Sequence, residues 1–181
     1  ADTTVTSTST SSASTIRTST STGELSIADV VKLATPSVVR IATSEGVGSG
    51  FIIDKAGYII TNNHVVEVRT GRAAATLTVT LSDGAEYQGT VVGTDPRSDL
   101  ALVKIEADQD LQALELANLG EVQVGDEVVA IGYALDLTGG DGAAFTVTSG
   151  IVSQKNRAIA EDEAILGAVQ TDAAINHGNS G

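Results

Sequence analysis

From residue 36 onward the chain reads as short apolar runs in which hydrophobic and polar positions alternate, separated by Gly, Asp and Asn. Alternation at period two sends successive side chains to opposite faces of a strand. Six such runs come first: SVVRIAT (37–43), GSGFIID (48–54), YIIT (58–61), ATLTVTLS (75–82), EYQGTVVGT (86–94) and LALVKIE (100–106). The period is clearest in Leu77, Val79 and Leu81, interleaved with Thr78 and Thr80. It recurs in Leu100 and Leu102, which places those leucines on the inward face. Turns are expected at DKAG (54–57) and SDGA (82–85), each with a Gly where a positive φ is required. Six short antiparallel strands make one small closed barrel. Three more runs follow, EVVAIGY (127–133), AFTVTSGIVSQ (144–154) and ILGAVQTD (165–172), enough to begin a second barrel but not to close it.

Ahead of the strands the pattern changes. Ser26-Ile-Ala-Asp29 has the spacing of a capping box, with Ser26 as N-cap and Asp29 bonding back from the third position. A short helix should follow through Val30, Val31 and Leu33. Pro36 ends it, because the residue before a proline is pushed out of the helical region. Residues 1–22 hold sixteen Ser or Thr and almost nothing to bury, so they read as a disordered tail or stalk. Such a tract suits an extracytoplasmic spacer or a plain flexible linker. The expected organisation is therefore a tail (1–22), a helix with a first barrel (23–108) and the first half of a second barrel (109–181), an all-β fold with one short N-terminal helix.

Composition narrows the chemistry. At 181 residues the chain can bury a real core. Its formal charge is −13, and its ten Lys and Arg are scattered singly, so nothing tracks a nucleic-acid backbone. There is no Cys, which excludes disulfides, thiolate metal sites and a cysteine nucleophile. Two His do not make a multi-histidine metal centre, and no cofactor or metal is expected. No apolar run approaches the ~18–20 residues that cross a membrane. The chain opens on Ala, which is compatible with a signal peptide or anchor upstream.

Three stretches at strand edges carry candidate chemistry: His64 in TNNHVV, Asp99 at the opening of the sixth run, and Ser180 in GNSG. Acyl transfer needs a serine whose proton a neutral imidazole can accept, and a carboxylate on the imidazole's other nitrogen. It also needs backbone N–H groups aimed at the developing oxyanion. Gly178 and Gly181 permit a sharp turn that gathers several amides, including those of Gly178 and Ser180, into one concavity. Each piece alone has a plain structural reading: a histidine after a strand, an aspartate in a turn, a glycine-rich loop. Asp95 competes with Asp99, but it sits in the turn before Pro96. The order His, Asp, Ser is that of the double-barrel serine proteases; hydrolases with a G-x-S-x-G elbow run Ser, Asp, His.

The stretches GVGSGFIIDKAGYIITNNHVV, DPRSDLALVKI, VGDEVVAIGYALDL, TVTSGIVSQKNR and QTDAAINHGNSG resemble the protease domain of the HtrA (Deg) family of trypsin-like serine proteases. They cover most of residues 36–181. The resemblance implies a chymotrypsin/trypsin-like double β-barrel with His64 as general base, Asp99 as its orienter and Ser180 as nucleophile. Amides of Gly178 and Ser180 would form the oxyanion hole. It further implies ATP-independent cleavage of unfolded or damaged proteins outside the cytoplasm, by a homotrimer, with a PDZ domain downstream. The family continues past this motif with strands that close the second barrel and wall the specificity pocket. Those strands would come from elsewhere, or the chain would be an inactive fragment. A protein of this fold that binds polypeptide without cutting it is the alternative reading.

Two departures stand out. The family usually has Pro where this chain has His177, and proline pre-sets φ on the approach to the oxyanion turn. His177 as the base in place of His64 is disfavoured, because a residue three before the serine generally points away from its hydroxyl. Asn179 stands where many secreted trypsin-like enzymes carry an Asp that pairs with a new N-terminal ammonium, so that route of activation is not expected.

Overall fold

The computed structural model describes residues 25–68, 72–74, 76–133, 145–161 and 163–181, with side chains of 157–166 excepted. The tail 1–22 and the segment between Tyr133 and Phe145 lie outside the described residues. The chain opens with α1 (Ile27–Ala34), and the capping box is present: the Asp29 amide donates to Ser26 Oγ (3.2 Å) and the Ser26 amide to Asp29 Oδ2 (3.2 Å). A 3₁₀ turn, Thr35–Ser37, holds Pro36 and hands the chain to the first strand.

Six strands then close a barrel: β1 (Val38–Ala42), β2 (Val47–Asp54), β3 (Tyr58–Thr61), β6 (Leu77–Thr80), β7 (Glu86–Asp95) and β8 (Leu100–Ile105), neighbouring in the order β1-β2-β3-β8-β7-β6. Between β3 and β6 lie a four-residue helix, α2 (Asn63–Val66), and a small ribbon of β4 (Glu67–Val68) and β5 (Arg72–Ala73) that the alternation did not reveal. The two turn glycines hold positive φ, 93° at Gly57 and 89° at Gly84. Val39, Ile41, Ile52, Ile59, Leu77, Val79, Leu81, Val103 and Ile105 meet inside, joined by Val66 from α2.

The inward face of β8 differs from the sequence expectation. Ala101, Val103 and Ile105 are buried, whereas Leu100 is 45% exposed and Leu102 lies on the outer face. The run LALVKI is apolar on both faces, so alternation by itself fixes no phase. Lys104 carries the only charge in the strand, and its partly exposed ammonium reaches Glu106 (2.6 Å) on the solvent side.

Among the described residues the rest of the chain forms a three-stranded antiparallel sheet, β9 (Glu127–Gly132), β10 (Thr146–Glu161) and β11 (Glu163–Thr171), with β10 central. β10 runs on beyond the expected residue 154 and shifts register repeatedly against β11. After β11 the chain turns back to the barrel and ends against β2.

Candidate active site

The pair His64 and Asp99 is built at the junction of two local structures. In α2 the first N–H groups have no acceptor within the helix, as at any helix start. Asp99 supplies them: its carbonyl accepts from the Asn63 amide (3.1 Å) and from Asn62 Nδ2 (2.9 Å), and its Oδ1 accepts from the His64 amide (3.0 Å). Its Oδ2 lies 2.7 Å from His64 Nδ1. An ionised carboxylate only accepts, so this contact puts a proton on Nδ1, and in the neutral ring Nε2 is then the nitrogen that carries the lone pair. Asp99 holds φ 50°, the left-handed region, which Asp tolerates better than most residues. Asp99 is thus both a turn residue, its amide donating to Pro96 O (3.3 Å), and the partner of His64. Asp95 is the last residue of β7; there it accepts from the Arg97 amide (3.1 Å) and Ser98 Oγ (2.8 Å), far from any histidine role. The Ser98 hydroxyl, with the Arg97 amide, holds its carboxyl below the usual carboxylate value.

Ser180 follows a turn. The Asn179 amide donates to Asn176 O (3.1 Å), and Gly178 sits at the third position with φ 94°, the combination that defines a type II turn. That position needs a positive φ, which glycine adopts without steric cost. Among the described residues, the N–H groups of Gly178 and Ser180 have no acceptor. Ser180, Gly178 and His177 share a cavity of about 320 Å³ with His64, Val65, Glu67 and the β1–β2 loop. The structure therefore brings His64, Gly178 and Ser180 to one cavity, with Asp99 bonded to His64. His177 also lines the cavity, but it is Asp99 and His64 that contact each other.

A model of the trypsin-like peptidase domain matches residues 48–181. The chain belongs to the trypsin-like peptidase family. Periplasmic serine endoprotease DegP of Salmonella typhimurium is 48% identical over 135 residues, 74% of this chain and 26% of that protein. Serine protease PepD of Mycobacterium tuberculosis is 41% identical over 170 residues, 86% of this chain and 35% of that protein. The solved structure of the HtrA-type protease AlgW with a tripeptide superposes with a TM-score of 0.75 at 37% identity, covering 87% of this chain and 49% of that one. These relatives are HtrA-type proteases, the family that the sequence motifs resemble. The chain spans about a quarter to a third of the length of the curated relatives.

Within this peptidase fold, Ser49 on β2 went unnoticed in the sequence, although it lies inside the quoted motif GSGFIID. It is 2% exposed. β2 pairs with β3 only from Phe51 onward, so the edge at Ser49 is open to another partner. The segment carrying Ser180 takes that edge: the Ser49 amide donates to Ser180 O (2.5 Å), and Ser49 Oγ donates to Gly178 O (2.8 Å). The signal in the sequence was a small hydroxyl residue between two glycines, just ahead of the apolar residues 51–53.

Proposed function

We propose that this chain carries the active site of a serine endopeptidase of HtrA type, acting outside the cytoplasm, without ATP, on unfolded or damaged polypeptide. The observation that carries the reading is the 2.7 Å contact of Asp99 with Nδ1 of His64, a residue that lines one cavity with Ser180. Ser180 Oγ attacks the scissile carbonyl and passes its proton to His64 Nε2. Asp99 keeps the ring in that tautomer and stabilises the imidazolium. The amides of Gly178 and Ser180 receive the negative charge that develops on the carbonyl oxygen. His64 then gives the proton to the departing amine, and a water deprotonated by the same nitrogen hydrolyses the acyl-enzyme. The extracytoplasmic setting is supported by relatives named periplasmic and by the Ser/Thr-rich first 22 residues. A homotrimer and a following PDZ domain belong to the same proposal.

A fluorophosphonate probe tests it. Covalent labelling of Ser180 that is lost in His64→Ala is the expected result. An unlabelled Ser180 in a folded protein that still captures unfolded polypeptide would instead establish the non-cleaving binder.

A further inference from the structure

We infer that Ser49 is a positioning residue for catalysis, holding the nucleophile turn in its working shape through alternate peptide planes. The inference rests on the peptidase reading above. Four peptide planes run from His177 to Gly181. The plane of Gly178–Asn179 is held at its carbonyl by Ser49 Oγ (2.8 Å) and at its N–H by Asn176 O (3.1 Å). The plane of Ser180–Gly181 is held at its carbonyl by the Ser49 amide (2.5 Å). The two planes that alternate with these, His177–Gly178 and Asn179–Ser180, carry the free N–H groups assigned to the oxyanion. A peptide plane turns about its two flanking Cα atoms through paired, opposite changes of the ψ before it and the φ after it. Holding the flanking planes anchors the Cα atoms about which the free amides turn, on both sides of Asn179–Ser180 and on one side of His177–Gly178, and so narrows their torsions while leaving their hydrogens unspent.

The Ser49 hydroxyl is fixed from two sides, and the Ser49 carbonyl from a third. The Tyr133 amide, just past β9, donates to Ser49 Oγ (2.8 Å), so the hydroxyl proton is directed at Gly178 O. Thr61 Oγ1, at the end of β3, donates to Ser49 O (2.6 Å). One buried residue of the barrel therefore ties together the end of β3, the end of β9 and the nucleophile turn. His177 gives this restraint its importance. It occupies the second position of the type II turn, where proline would pre-set φ, and histidine leaves that torsion to be set by surrounding contacts.

Ser49→Ala removes the hydroxyl and keeps the amide. Peptide hydrolysis by the protein should lose roughly 10–100-fold in kcat, with KM within about threefold, because the groups displaced act on the transition state. The rate of fluorophosphonate labelling of Ser180 should fall in parallel, while thermal melting stays cooperative. Ser49→Cys retains a weak donor and acceptor and should fall between the two. A folded Ser49→Ala protein with kcat within twofold of the parent, or with its loss confined to KM, overturns the inference. If Ser49→Ala does not fold, Ser49→Cys decides: reduced kcat at constant KM supports positioning, and unchanged kcat or failure to fold overturns it. Ser180→Ala separates the two levels. Activity surviving there sinks the peptidase reading; activity lost there but kept in Ser49→Ala sinks this inference alone.

Discussion

The barrel and the three-stranded sheet are made of similar strands but reach different degrees of completion. The barrel closes on itself, and its core draws on all six strands, with Ile41, Ile52, Ile59, Val79 and Val103 fully enclosed. In the described part of the sheet, Val152 is buried while Ile151 and Val169 face outward at 41% and 43% exposure; in the segment after β11, Ala173 is buried and Ile175 is 60% exposed. The difference is reflected in the site. His64 and Asp99 are held by α2 and the β7–β8 turn, within the part of the chain that forms the barrel, so the proposed base and its partner come from one unit. Ser180 lies where chain returning from the sheet meets the barrel, and its placement depends on bonds that cross between the two.

The comparison can be broken at several points. Asp99→Asn should leave the barrel folded, since Asn tolerates the same φ, yet lower kcat by about 10⁴-fold because the ring loses its fixed tautomer. Steady-state peptide hydrolysis beside a melting curve checks this; a comparable loss of stability would mean that Asp99 acts mainly as the cap of α2. Next in size, Ile59→Ala should destabilise the protein by about 2–5 kcal/mol in chemical denaturation, as expected for a cavity in a packed core. Val169→Ala on the sheet should change it by less than about 0.5 kcal/mol. An equally large effect at Val169 would reveal that this face is covered by another surface.

The seam between the units is the third point. A Cβ at Gly132 would stand 2.9 Å from Ser49 Oγ and 3.0 Å from Asn179 Cα. Gly132→Ala should therefore cost about 1–3 kcal/mol through overpacking and lower activity more than stability; hydrolysis rates against the denaturation midpoint will tell. The smallest effect lies outside both units, at the cap of α1. Ser26, through its hydroxyl and then its amide, holds the Asp29 carboxyl below the ordinary value. A depressed folded-state pKa means that the cap's contribution is present above the unfolded carboxylate pKa and fades as pH falls through the lowered one. Acid titration of melting temperature should show that small loss in the parent and not in Asp29→Asn.

Much of the barrel was legible because turn chemistry and alternation agree there: DKAG and SDGA ended strands where Gly57 and Gly84 hold positive φ. The phase of β8 was not, because a strand apolar on both faces offers no contrast and its single lysine had to decide. The helix carrying His64 was missed for a related reason. Four residues make too short a period to read, and α2 is completed by Asp99, thirty-five positions away.

Sequence by itself determined the residue types and their order. His64, Asp99, Ser180 and the glycines of the turn could be named from local pattern and from resemblance to a family. Chain folding decided how they are held. Ser49 carried no assignment from the sequence; its place became visible only where β2 leaves an edge open and the segment carrying Ser180 occupies it. Local pattern records what each residue prefers of its own backbone, whereas a hydrogen bond between residues 49 and 178 exists only once the chain following β11 returns to the barrel.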